Sequence, residues 1–307
     1  MVEVLVEKFD RFDPSQSLCD MTLTPYLLLT LAIFAIYLEP RRLPRIPTVP
    51  LWIMCFLLST VTGTVFGVID PTVSLLALLP MLAANGFSGQ HPVTQTRILK
   101  ALVVIICLML ALHLVPGFHN LRLLDQVKLR PDAASFTLYA NYDKGAAGLI
   151  LLAWGSRRAD SLAAILNNWR TQLTYLIATP IMALGLAWAM GVIHPDPAWP
   201  SITPVFLAVN LLFTCVAEEA FFRGWIQGGL ARLWQRKSWG EWVAIVIGAM
   251  LFGAAHLGGG LAYALVATLA GVMYGRCYVR GSIEHAVLCH FAVNTAHFLL
   301  FTYPKVG

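Results

Sequence analysis

The sequence predicts an all-α fold, a polytopic transmembrane helical bundle of eight to ten membrane segments, and three observations carry that expectation. Its 307 residues are 58% hydrophobic and 12% charged, whereas soluble domains run at roughly 45–50% apolar and about 25% charged. Ten apolar segments follow one another, several reaching the ~20 residues that a helix needs to cross the hydrocarbon core. Lys and Arg collect between alternate segments, as the positive-inside rule requires of spans that reverse direction.

The segments run approximately 22–38, 49–69, 72–87, 98–115, 145–155, 171–193, 202–222, 241–257, 261–279 and 283–302. The third and fifth are short, which marks them as re-entrant, tilted or fused to an interfacial helix. The opening MVEVLVEKFDRFDPSQSLCD has no basic stretch followed by an apolar one, so no cleavable signal peptide is expected and the first span is retained. With the N-terminus outside, fourteen of the twenty-one Lys and Arg residues fall inside, among them Arg41, Arg97, Arg157, Arg170, Arg232, Lys237 and Arg280. That assignment puts both termini outside, in a prokaryotic cytoplasmic membrane. The longest polar connection, 117–145, is mixed in charge and expected to lie amphipathic at the membrane surface. SRRADSLAAILNNWR, 156–170, sets Leu162, Ile165, Leu166 and Trp169 opposite Arg157, Arg158 and Asp160, the pattern of an in-plane helix. Residues 1–170 then form an N-terminal membrane region and 171–307 the core that carries the chemistry.

Composition also excludes. Six cysteines without a CxxC pair argue against a disulfide framework or a thiolate metal site, and buried, inert thiols are expected. The formal charge of +5 comes without a basic cluster carrying interleaved aromatics, so no nucleic-acid partner is expected. No phosphate-cradling glycine loop is present, and Gly258, Gly259 and Gly260 join two spans.

Within LLFTCVAEEAFFRG, 211–224, two adjacent carboxylates interrupt an apolar run. An ionisable side chain at bilayer depth costs at least ~2.5 kcal/mol, so it faces a protein interior or cavity and carries function. Glu219 and Arg223 are four apart, which stacks them on one helix face as an ion pair. Glu218 lies about 100° round the helix, free to face a cavity. His256, with Phe252 one turn below, closes the run that begins near Trp242. His290 and Asn294, again four apart, share a face of the last span. Counted back to the basic boundary at ~1.5 Å per residue, Glu218, His256 and His290 lie about 21, 21 and 15 Å deep. His113, His194, His285 and His297 lack such matched company and read as satisfied core residues.

A carboxylate, two imidazoles and an amide at one depth suit hydrolysis. A desolvated Glu is a general base for water, and imidazole and amide donors stabilise an oxyanion, with no Ser or Cys nucleophile. The order EEAFFR, FGAAH and HFAVN resembles the CAAX-processing and bacteriocin-processing (CPBP, abortive infection) family of intramembrane endopeptidases over about 202–300. Its motifs EExxxR, FxxxH and HxxxN fall on Glu218 to Arg223, Phe252 to His256, and His290 to Asn294. Glu284 and His285 depart from the pattern, standing where apolar residues are expected. The resemblance implies a protease in which Glu218 activates water, His256 and His290 assist, Asn294 helps hold the oxyanion, and Glu219 pairs with Arg223. It implies a membrane-associated protein or peptide as substrate, with CAAX-type C-terminal processing one form, and the lipid bilayer as surroundings.

Besides a catalytically idle membrane scaffold, which the complete polar set disfavours, the residues alone leave two other readings open. The same Glu and His set serves a proton-coupled transporter, and Glu218, His256 and His290 also suit a zinc site with water as fourth ligand. Against zinc, no HExxH helix is present and each ligand comes from a different helix, so no cofactor or metal is expected. The site is expected to open on the basic, cytoplasmic side, because Arg223, Arg232, Arg236 and Lys237 follow the glutamates.

Overall fold

The computed structural model describes residues 17–38, 49–73, 93–159, 162–167 and 169–306. The chain divides into two compact units, one of residues 1–78 with 117–119 and one of 79–116 with 120–307. In the first, helix α1 (Ser17–Ala35) packs on α2 (Leu51–Val65). Both bury apolar side chains, Leu29 and Ile33 on α1, Ile53 and Phe56 on α2. Ser59 Oγ donates to the Pro25 carbonyl at 2.6 Å, satisfying a hydroxyl at an otherwise apolar contact. The Asp70 amide donates to Gly117 O, and His119 Nε2 meets Asp70 Oδ1 at 3.0 Å.

The second unit begins with helix α3 (Val93–Ala111), followed by strands β1 (Leu121–Val127) and β2 (Phe136–Ala140) and helix α4 (Tyr142–Gly155). Then come α5 (Leu162–Asn167), α6 (Trp169–Ala189), α7 (Thr203–Leu233), α8 (Gly240–Ala255), α9 (Leu261–Arg280) and α10 (Ile283–Leu300). Three of these, α6, α7 and α9, are long and apolar enough to cross a membrane, and α3 and α8 carry shorter apolar stretches. With Leu, Ile, Met and Trp side chains exposed along α6 and α8, this is the surface of an integral membrane protein. Nine of the ten predicted segments coincide with helices; the remaining one, 72–87, lies outside the described residues beyond Val73. The unit that holds the motifs includes α3, α4 and α5, so the compact units do not part at residue 170.

Two expectations are corrected. The connection 117–145 is not an amphipathic surface segment but an antiparallel hairpin, which adds a two-stranded sheet to the all-α expectation. The reason is legible in FTLYA, where Phe136, Leu138 and Ala140 alternate with Thr137 and Tyr139 at the period of a strand. The stretch 156–170 is not one in-plane helix either: α5 has six residues, and Trp169 and Arg170 start α6. Its first turn is taken up by capping. Arg157 donates to the carbonyls of Tyr278, at 3.2 Å, Val279, at 3.0 Å, and Gly281, satisfying the C-terminal end of α9.

The same strap explains Glu284 and His285. Glu284 Oε2 accepts the Ala159 amide at 3.0 Å. His285 is the third residue of α10, and its Nδ1 accepts the Ser282 amide at 3.1 Å while Ser282 Oγ caps the helix in return. His285 Nε2 reaches Ile165 O at 3.2 Å. At the other end of α10, buried Arg130 donates to Phe298 O at 3.0 Å and Asp196 O at 3.1 Å. Burial lowers the pKa of that guanidinium and the Asp196 charge opposes the shift.

Candidate active site

Helix α7 changes pitch twice. It is π-helical over Asn210–Cys215 and again over Ala220–Gln227, and the single α turn between them, Val216–Glu219, carries both glutamates. Such wide turns rotate side chains off the ordinary register and concentrate at functional sites. Glu219 is fully buried and both its oxygens are used. Oε2 accepts from Arg223 Nε at 2.9 Å and Oε1 meets His290 Nδ1 at 2.8 Å. Fully buried Arg223 lies 5.5 Å from the Phe252 ring centre and 5.9 Å from that of Tyr274, two cation–π contacts in a slot left by Gly248 and Gly275.

Glu218 has a partner that spacing does not show. Lys144, on the first turn of α4, donates from Nζ to Glu218 Oε1 at 2.7 Å. The other oxygen, Oε2, is buried and has no hydrogen-bond partner among the described residues. Glu218 also interacts electrostatically with His290 and His256.

Phe252 joins the two imidazoles, its ring centre 4.5 Å from that of His256 and 5.5 Å from that of His290. His290 stacks on Tyr274 at 4.7 Å. His256 Nδ1 lies 2.8 Å from Phe252 O, and because a carbonyl only accepts, Nδ1 carries the proton and Nε2 is the open nitrogen. Donation from His290 Nδ1 to Glu219 likewise leaves its Nε2 open. Asn294 Nδ2 donates to Asn210 Oδ1 at 3.2 Å, and Cys215 Sγ donates to the same oxygen at 3.3 Å. Asn210, Tyr274 and Lys144 are thus site residues beyond the sequence motifs. A polar Asn in the apolar run 202–222 was the one signal for the first. For Lys144, at the edge of a short apolar segment, the sequence carried no distinguishing signal.

A cavity of about 50 Å³ adjoins the set. His256, His290 and Asn294 line it, and apolar Ala183, Ala187 and Ala270 give it width. Val192, Ile193, Tyr263 and His297 also border it, which places it towards the helix ends opposite the basic link Arg232–Lys237. A depth of about 21 Å from the basic side already exceeds half of a ~30 Å hydrocarbon core. Of the other histidines, His297 Nε2 meets Thr302 O at 3.2 Å, and His113 Nδ1 meets Asp143 at 2.7 Å. The thiols of Cys107, Cys215, Cys277 and Cys289 are free and buried. Among the described residues no three His, Cys, Asp or Glu side chains gather as a metal-ligand group, Glu218, His256 and His290 included.

Residues 199–296 match the family model described as type II CAAX prenyl endopeptidase Rce1-like. The match covers about a third of the chain and contains Glu218, Glu219, Arg223, Phe252, His256, His290 and Asn294. It implies CAAX-type intramembrane endopeptidase activity for that domain and a membrane-associated substrate. No curated protein and no solved structure matches the chain.

Proposed function

We propose that the chain is a glutamate-type intramembrane endopeptidase that cleaves a membrane-associated protein or peptide with water activated by Glu218. The carrying observation is the inventory of four carboxylate oxygens. Three are bound, by Lys144, Arg223 and His290, and Glu218 Oε2 alone is bare. A buried carboxylate oxygen without a donor is costly, so this is where a water fits. Glu218 Oε2 takes one proton from that water while the oxygen attacks the scissile carbonyl carbon. The open Nε2 of His256 accepts the water's second hydrogen and fixes its direction. The Asn294 amide donates to the oxyanion, and His290, held by Glu219, lines the same cavity beside it. Glu218 then returns its proton to the leaving amine nitrogen as the C–N bond breaks.

No metal enters this scheme. The Lys144 ammonium, 2.7 Å from Glu218 Oε1, repels a divalent ion from the one carboxylate that a two-His, one-Glu site requires. Activity should survive chelation, and loss restored specifically by zinc would reverse this part. We keep the basic link on the cytoplasmic side by the positive-inside count.

The proposal is tested with purified protein in detergent and a quenched fluorescent peptide ending in a prenylated CAAX tetrapeptide. Cleavage without any ion gradient, abolished by Glu218→Gln, is the expected result. Uncleaved peptide together with proton flux in liposomes would favour the transporter that uses the same residues.

A further inference from the structure

We infer that Lys144 is a positioning residue for Glu218, supplied from outside the matched domain. The inference rests on the proposed role of Glu218 as base.

Two adjacent carboxylates in an apolar bundle need two counter-charges, because an uncompensated buried charge is strongly destabilising. Arg223 and His290 are consumed by Glu219. Lys144 is the second cation, and it comes from α4, which precedes the matched residues 199–296. Its bond goes to Oε1 alone, which orients the carboxylate and leaves Oε2 as the bare oxygen. A base requires that division: one oxygen held, one open, and the carboxylate ionised when water arrives.

The chain builds around this lysine in two ways. The start of α4 is pinned by Asp143, whose Oδ1 accepts from the Lys144 amide at 2.8 Å and from Asn120 Nδ2 at 2.9 Å, while Oδ2 meets His113. Asn120 Oδ1 accepts the Tyr142 amide at 2.7 Å. One turn beyond Lys144, Gly148 lies so close to α7 that a Cβ there would stand 2.8 Å from Ala217 Cα, beside Glu218. That approach brings the ammonium within reach. The other titratable groups that interact electrostatically with Glu218 are Cys215 on its own helix, His256 after α8, Tyr263 on α9 and His290 on α10. Among the described residues Lys144 is the one whose side chain bonds it.

The test uses the full chain, the prenylated CAAX peptide and three substitutions. Lys144→Met should lower kcat at least about tenfold, a part of the roughly 10²- to 10⁴-fold that a general base contributes, with KM unchanged. Lys144→Arg, which keeps the cation, should restore most of kcat, whereas a packing role would be met as well by the apolar side chain. Should Lys144→Met fail to purify, Lys144→Gln keeps a donor without the charge. Glu218→Gln separates the two claims. If it is inactive while Lys144→Met and Lys144→Arg both match wild type, the positioning role is wrong and the base assignment stands. If Glu218→Gln is active, or wild type leaves the peptide uncut, the proposed function falls and this inference with it. A rise in KM that vanishes for a peptide ending in an amide would show Lys144 reading a substrate carboxylate instead, and would overturn positioning.

Discussion

At the scale of single residues, the site divides its charges between holding and working. Glu219 spends both oxygens on Arg223 and His290 at full burial, so Glu219→Gln or Arg223→Ala leaves a buried partner unpaired. Each should cost about 3–5 kcal/mol, read as a fall in melting temperature of the purified protein, and wild-type stability in both would refute the bracing role. Glu218→Gln strands the Lys144 ammonium, so it too should lower the melting point, though less, since Gln still accepts a hydrogen bond. Asn210 makes a subtler case. Its Oδ1 holds the Asn294 amide, and Asn210→Ala should reduce kcat by less than the roughly 10²- to 10³-fold loss of an oxyanion donor expected for Asn294→Ala. An equal or larger effect of Asn210→Ala would mean that Asn210 itself touches the reacting atoms.

At the scale of elements, the pairing of α4 with α7 sets the site, and it is carried by small residues. Gly148 meets Ala217, Gly155 meets Trp225, and Gly224 meets Ser156, so the two backbones stay close from the glutamates to the end of α4. Gly148→Val should drive them apart, costing about 1–3 kcal/mol as overpacking does and lowering kcat by separating Lys144 from Glu218. Gly185→Ala on α6 is the control, because no atom lies within 4 Å of its added methyl. It should be neutral or stabilising by about 0.4–1 kcal/mol, and equal damage from both would show that Gly148 has no special place. The three motifs were legible in the sequence because charge and imidazole are rare in apolar runs, and i,i+4 spacing alone pairs Glu219 with Arg223. Lys144 was not, because a lysine at the edge of an apolar segment looks the same whether it ends at the surface or reaches inward. The alternation of FTLYA was there to be read, but the mixed charge of 117–145 pointed to a surface segment instead of a hairpin. Glu284 and His285 looked anomalous because capping of α10 by Ser282 and His285 depends on a strap, Arg157 to Ile165, that joins the bundle from far along the chain.

At the scale of the whole molecule, the question is which ends of the helices the chemistry serves, and α8 answers it. The helix runs from Gly240 to Ala255, about 24 Å at 1.5 Å per residue. Trp239 and exposed Ser238 precede it, and His256 and exposed Gly258 follow it. The basic residues Arg232, Arg236 and Lys237 gather at its start, whereas the cavity is lined by residues at its finish, His256 among them. If α8 crosses the membrane, single cysteines at Ser238 and Gly258 must be labelled by an impermeant thiol reagent from opposite faces. With Cys19 and Cys55 replaced by Ser, the remaining native thiols interfere little, since Cys107, Cys215, Cys277 and Cys289 are buried. The positive-inside count further assigns Ser238 to the cytoplasmic face, so intact cells should protect it and expose Gly258. Labelling of both from one face would show that α8 does not span. Labelling from opposite faces with Ser238 outside would keep the fold and the site intact while reversing the whole molecule in its membrane. A bulky thiol reagent at Gly258, two residues beyond the cavity-lining His256, should also block peptide cleavage in detergent, whereas the same adduct at Ser238 should leave it untouched.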